Sequence, residues 1–270
     1  MAGGQRMSGS GDGVRAIHRG KVWLVGAGPG DPELLTVRAL RLLTSARVIA
    51  YDELVSPEIL ALARPDAERI PVGRRANGCQ HHEARIHPLV VVRALEGKEV
   101  VRLKGGDPMV FGRGGEEAHE LAAARIPFEI VPGISAALAA AARTGIPLTH
   151  RDCASGVTLA TAHAARDGVS LGNVPTDGTV VFYMGLGRIE ETCVALVAAG
   201  RARETPVAVI SKATLPDERV VLGTLGDIGV RTRDAGLEAP ALLVVGEVVA
   251  RRVESPPGAV GEEEEHTATG

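Results

Sequence analysis

Aromatic residues are nearly missing from this chain: one tryptophan, two tyrosines and three phenylalanines among 270 residues. So few rings exclude a base-stacking platform for single strands. The net charge of −3 argues against a general nucleic-acid partner, which calls for a basic balance. Cysteine is also scarce. Cys79, Cys153 and Cys193 stand far apart with no Cys-x-x-Cys pair, which argues against structural disulfides and a cysteine-based zinc site. Long apolar runs are absent too. The longest mainly apolar stretch, Ile134 to Ala142, is about half the ~20 residues that a bilayer span requires. No basic-then-apolar leader precedes residue 20, so the expectation is a cytoplasmic protein with no membrane partner. Lysine occurs four times against 26 arginines. Guanidinium forks pair carboxylates bidentately, which would suit a polycarboxylate ligand. An arginine-biased genome would leave the same imbalance.

Apolar residues make up 45 % of the chain, enough core for two modest α/β domains or one large one. Residues 1–19 and 254–270 lack periodicity and are rich in Gly, Ser or charge, with Glu262 to Glu265 in the second; both read as disordered tails, the second acidic. Between them, strand patterns fall at Val22–Val25, Arg47–Tyr51, Arg69–Val72, Glu99–Leu103 and Phe128–Val131, with helices between. Asp31 and Pro32 suit the cap and first position of a helix whose apolar stripe is Leu35, Ala39, Leu42, Leu43 and Ala46. That alternation predicts a mainly parallel sheet covered on both faces. From Ile146-Pro147 strands become denser, at Val157–Thr161, Thr179–Met184, Val207–Ser211, Arg219–Leu222 and Ala241–Gly246, with helices at Arg188–Ala199 and Leu225–Asp234. The reading is an N-terminal α/β domain over 20–148 and a second, partly antiparallel α/β domain over 149–253, with a ligand cleft between them.

The densest chemistry lies in Val101-Arg-Leu-Lys-Gly-Gly-Asp-Pro-Met-Val-Phe-Gly-Arg-Gly-Gly-Glu-Glu117. Five glycines, at 105, 106, 112, 114 and 115, let backbone amides approach a ligand where a β-carbon would clash. Asp107 adds a carboxylate that could accept from a ribose or an amine. A glycine-rich turn between strand and helix is the plainer reading of Gly-Gly-Asp-Pro alone. An earlier cluster, Gly26-x-Gly28-x-Gly30, has the wrong spacing for a dinucleotide fingerprint, and Pro29 removes an amide from it. No Gly-Lys-Ser/Thr follows either cluster, so a phosphate loop is absent. Asp52 ends the second strand, where parallel sheets carry function; it equally suits a cap for Asp52-Glu-Leu-Val-Ser-Pro57. Cys79, His81, His82 and His87 match no zinc spacing and read as a surface loop with titratable histidines.

The seventeen-residue string resembles the S-adenosylmethionine site of the uroporphyrinogen-III C-methyltransferases, a family with the tetrapyrrole methylase fold. The resemblance runs over roughly residues 20–252: Val25-Gly-Ala-Gly-Pro-Gly-Asp-Pro-Glu-Leu-Leu-Thr36, Tyr51-Asp-Glu-Leu-Val-Ser-Pro57, Val131-Pro-Gly-Ile-Ser-Ala136, Gly145-Ile-Pro-Leu-Thr-His-Arg-Asp152, Val181-Phe-Tyr-Met-Gly185 and Thr214-Leu-Pro-Asp-Glu-Arg219 follow in order. The full glycine string separates the chain from later corrin-ring methyltransferases and from diphthine synthase, which share the fold. The resemblance implies a two-domain α/β fold, S-adenosylmethionine in the interdomain cleft, S-adenosylhomocysteine as product, and a homodimer. It implies conversion of uroporphyrinogen III to precorrin-2, toward sirohaem or cobalamin, with no metal. Cofactor contacts carry over onto Pro29, Gly105, Gly106, Asp107, Val110, Ser135, Ala136, Met184 and Ala213, and the proton acceptor onto Asp52. Arg74 stands where the family has a lysine proton donor, and arginine does not give up its proton at useful pH. Arg74, Arg75, Arg113 and Arg151 are the candidate partners for substrate carboxylates. The alternatives are a methyltransferase of a later precorrin, or a tetrapyrrole-binding protein without turnover.

Overall fold

The structure, a computed structural model, describes residues 19–73, 86–162 and 174–254. Apart from Arg19 and Glu254, the two expected tails lie outside the described residues, as do Arg74, Arg75, Cys79, His81 and His82.

Five strands, β1 (Val22–Gly26), β2 (Val48–Tyr51), β3 (Glu68–Pro71), β4 (Val100–Lys104) and β5 (Phe128–Val131), form a parallel sheet in the order β3-β2-β4-β1-β5. The connecting helices are α1 (Val37–Ser45), α2 (Pro57–Ala61), α3 (Pro88–Leu95) and α4 (Gly114–Ala123). Strand side chains alternate between faces. Leu24, Val48, Ala50 and Val100 therefore pack with Val90 and Ala94 of α3 and Leu121 of α4. Val25, Ile49, Val101 and Leu103 pack on the other face with Ala39 and Leu43 of α1 and Ile59 of α2.

Asp31 caps less than its surroundings suggest. Its carboxylate accepts the Glu33 amide at 2.9 Å, but only one 3-10 turn, Pro32–Leu34, follows. Leu35 is extended and ends that turn, and Thr36 Oγ1 starts α1 afresh by accepting the Ala39 amide at 3.1 Å. Two competent N-caps five residues apart compete, and the one nearer the buried stripe opens the helix.

The second sheet contains β6 (Val157–Thr161), β7 (Thr179–Tyr183), β8 (Pro206–Ser211), β9 (Arg219–Thr224) and β10 (Ala241–Val245), in the order β6-β7-β10-β8-β9. Only β6 and β7 run parallel; the other pairings are antiparallel, as the denser strand rhythm suggests. Phe182, Val209 and Leu243 face Leu196 of α6 (Ile189–Ala198) and Ile228 of α7 (Ile228–Asp234). The opposite face, with Val181, Ile210 and Leu242, receives Ala137 and Ala140 of α5 (Ala136–Thr144). The result is a two-domain α/β fold. No helix among the described residues is long and apolar enough to cross a membrane.

One buried cation holds the second sheet's approach. Arg201 is buried and donates to the carbonyls of Pro175 (2.9 Å), Asp177 (2.8 Å) and Gly178 (3.1 Å), ahead of β7. Hydrogen bonds to a charged donor contribute about 1.5–3 kcal/mol. Arg201→Met should lower stability by about 2 kcal/mol, seen as a Tm roughly 4–8 °C lower by calorimetry. An unchanged Tm would mean that water replaces the guanidinium without loss.

Candidate active site

The carboxyl ends of β1, β4 and β5 meet through backbone alone. Gly28 and Gly106 exchange amide hydrogen bonds of 3.1 and 2.7 Å, joining the loops that follow β1 and β4. A β-carbon on Gly26 would lie 2.5 Å from the Gly133 nitrogen, and one on Gly133 would lie 2.3 Å from the Gly106 oxygen. Only glycine permits that approach. Gly106 itself is different. Its φ is +68°, and an added β-carbon would meet only the Ala136 nitrogen, at 3.8 Å. Its free side is thus open space beside the N-terminus of α5.

Asp107 first serves the loops. Oδ1 accepts from the Met109 amide at 2.8 Å and Oδ2 from the Gly133 amide at 3.0 Å, tying the β4 loop to the β5 loop. Each oxygen keeps lone-pair capacity for a ligand donor. Val110 lies in the same turn, its amide bonded to the Asp107 carbonyl at 3.2 Å.

The second sheet closes over these loops. Tyr183, the last residue of β7, places Oη 2.5 Å from Ser135 Oγ and accepts the Ala137 amide at 3.1 Å. It therefore caps α5, whose own N-cap Ser135 bonds no helix amide. The Tyr183 ring also meets Phe111 of the β4 loop, with centroids 4.8 Å apart. Met184 follows, half-exposed. Beyond β8, Thr214 Oγ1 accepts the Asp31 amide at 3.3 Å, and a β-carbon on Gly30 would strike Leu215 at 2.5 Å. Ala213 precedes Thr214 on this loop. Phe111, Arg113, Met184, Lys212 and Thr214 are five of the six non-glycine residues with positive φ among those described. All five stand on these facing loops, and backbone strain of this kind collects at ligand sites.

The structure thus gathers Pro29, Gly105, Gly106, Asp107, Val110, Ser135, Ala136, Met184 and Ala213 on loops that face one another from the two sheets. Asp52 follows β2, its amide 3.4 Å from the Leu103 carbonyl of β4. Its Oδ1 accepts from Arg102 at 2.6 Å, and its Oδ2 lies 3.7 Å from Lys104 Nζ. Glu117 Oε1 accepts from both cations at 2.9 Å. The cap reading of Asp52 gives way: its side chain pairs with cations, and Ser56 Oγ caps α2 by accepting the Ile59 amide at 3.3 Å. Arg113 lies 3.6 Å from Glu116, and Arg151 is exposed in the turn closed by His150 and Ala154.

Of the cysteine and histidine cluster, His87 alone lies among the described residues. It caps α3 through Nδ1, 3.3 Å from the Leu89 amide, and burial, then the Arg102 charge, holds its imidazole below the ordinary range. The sequence reading also passed over Tyr183, Arg102, Lys104 and Glu117. The signal for the middle two was present: charges at alternate positions of a strand otherwise apolar on both faces must find partners.

The family model for Tetrapyrrole (Corrin/Porphyrin) Methylases matches residues 21–229. A siroheme synthase from Pseudomonas aeruginosa is 50% identical over 244 residues, covering 89% of this chain and 52% of the relative; the chain spans about half the length of the curated relatives it matches. The solved structure of uroporphyrin-III C-methyl transferase from Thermus thermophilus, complexed with S-adenyl homocysteine, aligns with a TM-score of 0.74 at 40% identity, covering 87% of this chain and 96% of that one. A cobalt precorrin-4 methyltransferase aligns with the same TM-score, 0.74, at 31% identity over 85% and 95% of the two chains. With its paired sheets, its glycine-built strand ends and a family match over most of its length, this chain belongs to the tetrapyrrole methylases.

Proposed function

We propose that this chain transfers two methyl groups from S-adenosylmethionine to uroporphyrinogen III, giving precorrin-2 and S-adenosylhomocysteine. The observation that carries the reading is the open side of Gly106 at the α5 N-terminus, where Tyr183 of the second sheet caps the helix. The relative solved with S-adenyl homocysteine supports it, sharing 40% identity over nearly its whole length.

S-adenosylmethionine supplies, when bound, a methyl group already activated by its sulfonium. The task left to the chain is orientation in a closed cleft, which contributes roughly 7–11 kcal/mol in well-aligned systems. Gly105 and Gly106 offer backbone, Gly106 adds free space, Asp107 keeps the loop in shape, and Met184 and Ala213 line the opposite side. After methylation a ring proton must leave. Its C–H bond breaks, the electron pair returns to the macrocycle, and the proton passes to the Asp52 carboxylate. The same reading implies a homodimer in the cytoplasm; light scattering at micromolar concentration tests the dimer, and a monomer there would count against it.

An anaerobic assay with uroporphyrinogen III and S-adenosylmethionine, followed by precorrin-2 fluorescence, tests the activity. A second reading, a methyltransferase of a later precorrin, draws on the equal TM-score of the cobalt precorrin-4 enzyme. Turnover of a later precorrin with none of uroporphyrinogen III would establish it instead. Binding of both ligands without product would establish a carrier.

Arg74 supplies positive charge for a substrate carboxylate in this proposal, a task suited to a guanidinium. Arg74→Lys should therefore change kcat by less than about tenfold, equivalent to ~1.4 kcal/mol in the barrier, whereas Arg74→Ala should raise the KM for the tetrapyrrole. An inactive natural protein rescued by lysine would show that the position donates a proton.

A further inference from the structure

The reaction as described leaves Arg102, Lys104 and Glu117 without a task. Alternation along β4 puts both cations on the face shared with α3 and α4, where Val100 packs among apolar residues. Arg102, Lys104 and Glu117 are only 4%, 3% and 6% exposed. Desolvating such ions costs more than burying an apolar cluster of the same volume, so stability does not account for them in a central strand.

Their arrangement has a direction. Glu117, from the first turn of α4, accepts both cations on one oxygen and so fixes them relative to each other. Arg102 then reaches Asp52 Oδ1, and Lys104 stands within ion-pair distance of Oδ2. Two positive and two negative charges balance. Of the four, only Asp52 reaches solvent appreciably, with 29% of its side chain exposed. The network is not fully satisfied internally: Arg102 Nε and Glu117 Oε2 are buried without a partner. Among the described residues, His87 at the α3 cap also feels the Arg102 charge.

We propose that Arg102, Lys104 and Glu117 are positioning residues for Asp52, fixing its carboxylate at the strand end and tuning its readiness to take a proton. Lys104 sets a positive charge 3.7 Å from Asp52 Oδ2, and Glu117 pairs with Lys104 at 2.9 Å. The proposal rests on the reading of Asp52 as acceptor of the ring proton.

The test is the pH dependence of kcat with uroporphyrinogen III and S-adenosylmethionine, measured for wild type, Asp52→Asn, Glu117→Gln, Lys104→Met and the double variant of the last two. Glu117→Gln keeps shape and acceptor but removes a negative charge. The surroundings of Asp52 become more positive, and the acidic limb should move to lower pH. Lys104→Met should move it to higher pH, each by about one unit or more, a roughly tenfold rate change at a fixed pH on the limb. Affinity for S-adenosylhomocysteine should stay within about twofold of wild type in both. Opposite shifts are the signature, because a merely structural role would lower both rates without separating the limbs. Shifts in the same direction, or none, overturn the proposal. Should Lys104→Met fail to fold, the double variant has no unpaired Glu117 charge, and its limb should lie above that of Glu117→Gln; coincident limbs overturn the proposal. A wild type without product, or an Asp52→Asn variant with the wild-type limb, overturns the underlying reading of the site instead.

Discussion

Gly106→Leu should weaken S-adenosylhomocysteine binding by at least about 100-fold, a loss of ~2.7 kcal/mol or more, while the protein stays folded. The β-carbon of the new residue meets only the Ala136 nitrogen, at 3.8 Å. The side chain therefore projects into open space rather than into its neighbours. Holding leucine at φ +68° costs about 1–2 kcal/mol, within the margin of a typical domain. Gly133→Ala gives the contrast. Its methyl would lie 2.3 Å from the Gly106 carbonyl, so that variant should lose the loop junction and show a lowered Tm. Calorimetric titration and thermal unfolding of both separate a ligand cradle from a packing requirement. Wild-type affinity in Gly106→Leu would remove the cofactor from this cleft.

Asp52→Asn should lower kcat by roughly 10²–10⁴, the usual contribution of a positioned general base, with affinity for S-adenosylhomocysteine within about twofold of wild type. The amide keeps the shape of the carboxylate and one acceptor for Arg102 but cannot carry the ring proton away. A wild-type rate would leave Asp52 as a counter-charge for Arg102 and nothing more.

The architecture was largely legible because burial writes itself into strand composition. Val22–Val25 and Phe128–Val131 read as strands since β1 is covered on both faces and β5 continues its sheet. Helix starts were less legible. Asp31-Pro32 carries a sound local cap signal, yet the conformation at Leu35 passes the helix to Thr36. The glycine-rich strand ends announced themselves through motif spacing, but sequence alone did not say that Gly26 and Gly133 answer to packing while Gly106 answers to open space. That distinction depends on which backbone stands opposite, an outcome of strand order. Tyr183 was hidden for the same reason: its partners, Ser135 and Ala137, lie on a helix that packs against the second sheet. Arg102 and Lys104 looked like interruptions of an apolar strand, and their meaning depends on Asp52 and Glu117 arriving from other elements.

The meeting of Gly26, Gly106 and Gly133 also sets when the site comes into being. These residues are far apart along the chain, and they touch only after β1, β4 and β5 have paired in register. Long loops must close before such contacts reward the chain, so the cradle should form late in refolding. A ligand that recognises it selects completed molecules, and a concentration of ~100 Kd stabilises them by about 2.7 kcal/mol through mass action. Protection from proteolysis should then rise with the concentration of that ligand, which limited proteolysis at increasing S-adenosylhomocysteine would measure.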